Sequence, residues 1–251
     1  MYDLFFQIIF LIALIFFLFF LIWRLRLKRL KRYKSLLLGN IDVYQKYNKE
    51  LVLTINNFAQ GVSINNESIK NSYWYSIAKK VKEHTQKNKS PCILMLGLGA
   101  NTISGLVNKL DPKIHQTIVE IDPLIINACQ DYFDLEKNKN LKLINQDAYK
   151  LLNKKQAFAE KFDCIVVDIF IGKAPYHSLD SNKPLFIEKL LKYLKSNGLI
   201  IFNKPGTSKE TKEDNQILIS YLKNNFKNTA MEYIHDPRGY KNFIIFGFNK
   251  K

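Results

Sequence analysis

Residues 92–102 read CILMLGLGANT, five apolar residues that run into a Gly-x-Gly and then into a stretch with helical spacing. A short unbroken apolar run is the pattern of a strand buried on both faces. The glycines permit a sharp turn and a close backbone approach to a ligand, and the helix beyond them offers unpaired N–H groups. Twenty-one residues after Gly99, the next apolar run reaches Glu120 within VEIDP (119–123). A carboxylate roughly twenty residues on is where α/β nucleotide-binding folds grip ribose hydroxyls.

The same pattern extends on both sides. Apolar runs at 92–96, 117–121, 141–144, 164–167 and 199–202 alternate with predicted helices near 102–110, 123–133, 147–155 and 184–195. Strands separated by helices at such intervals predict an α/β fold, Rossmann-like, with a mostly parallel sheet covered on both faces. Two β-rich runs, 229–235 and 242–248, flank Asp236-Pro-Arg-Gly239 and predict antiparallel strands closing the sheet. Upstream, Leu51–Ile55 and Gln60–Ile64 flank Asn56-Asn57, which predicts a small β-hairpin region. Ile69, Tyr73, Ile77 and Val81 then predict a helix from Ser68 to about Gln86.

At the amino terminus, Leu4 to Trp23 contains Gln7 as its one polar residue. Twenty helical residues span about 30 Å, the thickness of a bilayer core. RLRLKRLKRYK follows at 24–34, with no acid in it. The bias of basic residues to the cytoplasmic side predicts a single-pass N-terminal transmembrane helix, the amino terminus outside and the rest in the cytoplasm. A cleaved signal peptide fits poorly, because its charge belongs before the apolar run. Three units result: the membrane anchor with its basic flank (1–34), the hairpin and helix (35–90), and the Rossmann-like domain (91–251).

Across 251 residues, 38 Lys and Arg against 22 Asp and Glu leave a formal net charge of +16. Much of it sits at 24–34, and Arg238 is the one Arg beyond residue 34. Base and phosphate readers favour Arg for its bidentate fork, so no nucleic-acid partner is expected. Three cysteines (Cys92, Cys129, Cys164) without a C-x-x-C exclude a disulfide framework and a thiolate zinc site. His84, His115 and His235 share no ligand spacing, and no metal is expected.

Two more acids close predicted strands: Asp147 in NQDAY and Asp168 in FDCIVVD. Asp147 also fits as a helix N-cap. Asp168 ends a buried apolar strand, where a carboxylate needs a site to line. His177 in the following loop reads either as a ligand contact or second base, or as a loop histidine held by backbone.

GLGANT, VEIDP, NQDAY and FDCIVVD, with Pro184-Leu-Phe186 and KSNGLIIFN after a long loop, together resemble the class I S-adenosylmethionine fold, and within it the spermidine synthase (polyamine aminopropyltransferase) family. The resemblance covers about residues 42 to 248. It implies that Glu120 holds ribose hydroxyls, that Asp147 with Ala148 meets the adenine, and that Gly97, Gly99 and Asn101 form the floor. Gln60 from the hairpin would reach the ligand, Tyr73 and His177 the substrate, and Asp168 would be the general base. The implied co-substrate is decarboxylated S-adenosylmethionine, the acceptor a small amine such as putrescine, and the assembly a homodimer. The resemblance also exposes departures. Gly99-Ala-Asn101 carries an amide where the family's loop carries an Asp, and Ile171 stands where a second acid follows the base. Each missing charge weakens the grip on a cation, which keeps two alternatives open: a methyltransferase using S-adenosylmethionine, and a binding protein of the same fold without turnover.

Overall fold

The computed structural model describes residues 2–25, 27–65, 67–169, 183–205, 209–236, 238–239 and 241–251. Helix α1 (Tyr2–Leu25) is followed by four antiparallel strands, β1 (Lys28–Ser35), β2 (Gly39–Gln45), β3 (Leu51–Ile55) and β4 (Phe58–Val62), paired in the order β1-β2-β3-β4. The expected hairpin is therefore half of a four-stranded sheet. Asn56 and Asn57 both adopt positive φ between β3 and β4, the conformation that asparagine tolerates in a tight hairpin turn. Residues 28–34 of the basic run read as a membrane flank form most of strand β1. Its burial alternates too weakly for the sequence to announce it, and pairing with β2 supplies the order.

Helix α2 (Tyr73–Thr85) links this sheet to the larger one. Ser72 caps it, its Oγ accepting the Tyr75 N–H at 3.2 Å. The larger sheet takes β5 (Cys92–Leu96), β6 (His115–Glu120), β7 (Leu141–Asn145), β8 (Phe162–Val167) and β9 (Leu194–Pro205) in parallel, with β10 (Phe226–His235) and β11 (Lys241–Lys250) antiparallel. Its order is β10-β11-β9-β8-β5-β6-β7. The Rossmann-like parallel sheet and the antiparallel closing pair are both present, as the apolar runs predicted.

Helices α3 (Thr102–Leu110), α4 (Pro123–Tyr132), α5 (Ala148–Leu152), α6 (Pro184–Leu191) and α7 (Lys209–Asn225) complete the chain. Two clusters fill the faces of the sheet. One joins Ile93, Met95 and Val166 to α2, α3, α4 and the N-terminal sheet; the other joins Leu94, Leu96 and Phe202 to α5, α6 and α7. Alternate residues of one strand feed opposite clusters, which is why the strands read as unbroken apolar runs.

The expected transmembrane helix is not established. Segment Tyr2–Leu25 is a continuous helix of 24 residues, and Phe6, Phe10 and Phe16 on it are exposed. Among the described residues, no helix is long and apolar enough to cross a membrane.

Candidate active site

Strands β5, β6 and β7 advance to one side of β5, while β8 and β9 lie on the other. The strand order reverses between β5 and β8, and open α/β sheets hold ligands beyond the carboxyl ends of the strands at such a switch point. Gly97 leaves β5 on one side of it and Asp168 leaves β8 on the other. Gly97 has φ +91°, and a Cβ there would collide with the Asp168 carbonyl oxygen. The backbones of the two strand ends touch, and only glycine fits between them.

The loop from Gly97 to Asn101 is held from three directions. Glu120 accepts the Leu98 N–H on Oε2 and the Asp122 N–H on Oε1, both at 2.9 Å. Burial raises its pKa against the opposing pull of these backbone donors. From below, the Cys129 thiol donates to the Gly99 carbonyl at 3.1 Å. From above comes β4: Thr102 Oγ1 donates to the Val62 carbonyl at 2.8 Å and accepts the Val62 N–H at 3.0 Å. Gly99 has φ +54°, and a Cβ on it would sit 3.0 Å from the Gln60 carbonyl oxygen. Gln60 thus lies over the loop by its main chain, while its side-chain Nε2 donates to the Phe58 carbonyl at 3.2 Å.

Asn101, expected at the ligand floor, pairs through its amide nitrogen, while its Oδ1 is buried with no hydrogen-bond partner among the described residues. It is the left-handed residue ahead of α3, with φ +58°, and its Nδ2 donates to the Phe133 carbonyl at 2.9 Å. Its side chain ties the loop to the end of α4. Asp147 caps α5, its Oδ1 accepting the Tyr149 N–H at 2.8 Å and the Lys150 N–H at 3.3 Å, with Ala148 buried behind it. The capping role read from the sequence is real, and Oδ2 takes no part in it.

Asp168 is a perturbed acid as well. Desolvation pushes its carboxyl up to about 6, against the Asn203 amide and the Lys204 charge, which both pull it down. Asn203 Nδ2 donates to Asp168 Oδ1 at 2.8 Å, and Asn242 Nδ2 donates to Asn203 Oδ1 at 2.8 Å. Asn203 and Asn242 are buried, so this amide relay fixes the carboxylate from behind. A carboxylate poised near neutrality suits general-base work.

The sequence reading missed Asn203, Asn242 and Lys204. Asn203 carried the same signal as Asp168, a polar residue closing a buried strand. Tyr73, a predicted substrate contact, opens α2 with its ring 4.5 Å from that of Trp74, buried in the cluster shared with the N-terminal sheet. His177 and Ile171 lie outside the described residues. Among the described residues, no group of three His, Cys, Asp or Glu could hold a metal ion.

The spermine/spermidine synthase domain matches residues 73–251. A polyamine aminopropyltransferase from Vibrio vulnificus is 30% identical over 118 residues, 47% of this chain and 38% of that protein. An N-terminal histidine N-methyltransferase from Emericella nidulans is 33% identical over 113 residues, 45% of this chain and 20% of that protein. The chain thus spans well under half the length of these curated relatives. Among solved structures, a probable spermidine synthase from Corynebacterium glutamicum superposes with a TM-score of 0.70 at 18% identity, covering 87% of this chain and 79% of that one. At that identity the likeness is one of fold.

Proposed function

Because the chain belongs to the spermine/spermidine synthase domain family, we propose that it is a transferase moving an aminopropyl group from decarboxylated S-adenosylmethionine to a small amine such as putrescine. The observation that carries this reading is Asp168, a carboxyl held near pKa 6 at the switch point between β5 and β8 and aligned by Asn203. In this reading, Glu120 takes the ribose hydroxyls with its remaining lone pairs, Asp147 Oδ2 takes the adenine amino group, and the Gly97–Gly99 turn passes beneath the sulfonium. The nitrogen lone pair of the acceptor attacks the methylene carbon beside the sulfonium. The carbon–sulfur bond breaks, its electron pair leaves on the thioether, and the proton of the attacking nitrogen passes to Asp168. Holding both reactants in line supplies most of the acceleration, and the carboxylate accepts the proton that the nitrogen sheds.

The second reading is a methyltransferase, with the same displacement at the sulfonium methyl carbon. The neutral Ala100-Asn101 pair, with Asn101 committed to Phe133, favours it, because no acid of this turn is available to a cationic aminopropyl tail. Calorimetry on the full chain in detergent separates the two. Tighter binding of decarboxylated S-adenosylmethionine than of the carboxylated form, by tenfold or more on the order of a lost charge contact, is expected. The opposite preference overturns aminopropyl transfer in favour of methyl transfer.

We also infer that α1 anchors the protein in the cytoplasmic membrane, with the transferase domain on the cytoplasmic side. The twenty-residue apolar run, the exposed phenylalanines of α1 and the basic residues after it support this.

A further inference from the structure

Strand β1 is an outer strand whose far edge has no partner strand among the described residues, and Lys28, Arg29, Lys31 and Lys34 are exposed along it. It is nevertheless firmly seated. Arg32 donates from Nε and one terminal nitrogen to the two oxygens of Asp42, at 2.7 and 2.8 Å, and Asp42 is fully buried. The Tyr33 hydroxyl donates to Asp131 at 2.7 Å, and Ser35 Oγ donates to Asp122. Lysines on an edge strand ordinarily guard against edge-to-edge pairing. That does not account for the leucines at its two ends: Leu27 is 48% exposed, and Leu36 and Leu37 in the β1–β2 turn are 109% and 57% exposed. A rigid basic strip bounded by exposed apolar residues matches the layering of a lipid interface, with phosphates outside and acyl chains beneath. Chain reach adds to this. From Leu25, the last residue of α1, to Lys28, the first of β1, is three residues, a span of at most about 11 Å.

Taking α1 as the membrane anchor, we propose that β1 and the Leu36–Leu37 turn dock flat on an anionic lipid surface, the lysines meeting headgroup phosphates and the leucines entering the interface. A nucleic-acid phosphate backbone would satisfy the lysines and leave the leucines in water.

The test reconstitutes the full chain into nanodiscs of phosphatidylcholine, with or without phosphatidylserine, and follows hydrogen exchange in peptides covering 27–38. Exchange is expected to slow about tenfold or more in the anionic discs, since each basic residue near such a surface shifts the docking equilibrium roughly fivefold. The triple variant Lys28→Gln, Lys31→Gln, Lys34→Gln should erase the difference; its positions are exposed, and unchanged circular dichroism verifies its fold. Leu36→Ser with Leu37→Ser should reduce protection in the same peptides. Equal exchange in both discs with the chain incorporated overturns the docking and leaves the anchor standing. A chain that fails to enter discs, yet gains salt-sensitive protection at 27–38 on anionic vesicles, supports the docking and overturns the anchor. Protection by a DNA duplex but by neither lipid overturns the proposal.

Discussion

Replacing Asp168 by Asn should make the folded protein more stable at neutral pH, and the size of the gain follows from the site. Desolvation lifts the carboxyl from its ordinary 3.8 to about 6. A group held above its unfolded pKa binds its proton more tightly in the folded state. Its stabilising contribution is therefore complete below about pH 4 and is lost as pH rises through about 6. A shift of about two units at 1.36 kcal/mol each gives about 3 kcal/mol. That is a ceiling, because Asp168 keeps some accessible surface through which water supports the charge. Asparagine does not titrate, and its oxygen can still accept from Asn203. Urea unfolding of both proteins, followed by the fluorescence of buried Trp74, isolates the effect, since every other titrating group is common to the pair. The variant's advantage should grow between pH 4 and pH 7 towards that ceiling, with unchanged dependence on urea. A difference that stays constant across the range would mean that Asp168 ionises at an ordinary pH, and the general-base assignment would lose its physical support.

Asn203→Leu removes the donor that holds the Asp168 carboxylate. A hydrogen bond to a charged group is worth about 1.5–3 kcal/mol, so the acid limb of the activity profile should move up by about one to two pH units. An unmoved limb would remove Asn203 from the mechanism. Truncation distinguishes two amino termini: a fragment starting at residue 27 keeps β1, whereas one starting at 35 leaves buried Asp42 without the Arg32 guanidinium. Proteolysis should cut the shorter fragment faster in 39–62, and equal resistance would show β1 to be dispensable.

All five strands of the parallel sheet were legible in place, although β9 runs Leu194–Pro205 where the apolar run covers 199–202, and its start overlaps the helix expected over 184–195. CILML, FDCIVVD and LIIF are buried on both faces, so an unbroken apolar run has a single reading, and acids at their ends stand out against it. Strand β1 was not legible, because KRLKRYKS has no buried face of its own and its order comes from Asp42, Asp122 and Asp131, residues distant in sequence. Helix α7 escaped for a related reason. KETKEDNQ opens it without apolar periodicity, and among the described residues its core contacts, Leu218 and Leu222 with Ile219 and Tyr221 beside them, come only in its second half. Within the site, Gly97, Glu120 and Asp168 were visible by type and position. The amide relay was not, since Asn203 and Asn242 meet only after β9 and β11 pair. Asn101 was placed at the ligand floor by the resemblance alone; its left-handed backbone and its bond to the Phe133 carbonyl come only with the folded loop and α4.

The clasp between β4 and the glycine turn bears on how this protein can change over generations. Gly61 faces Thr102 and Ala100 so closely that a Cβ on it would come within 2.6 Å of the Thr102 hydroxyl and 2.8 Å of the Ala100 methyl. Position 61 lies in β4, position 100 in the glycine turn and position 102 at the start of α3, and position 61 cannot gain a side chain while both neighbours stay as they are. A descendant that gains a side chain at 61 must give room at Thr102 and Ala100 in the same lineage. Covarying substitutions at 61, 100 and 102 would then be the inherited trace of a strand and a turn that diverged as a single unit.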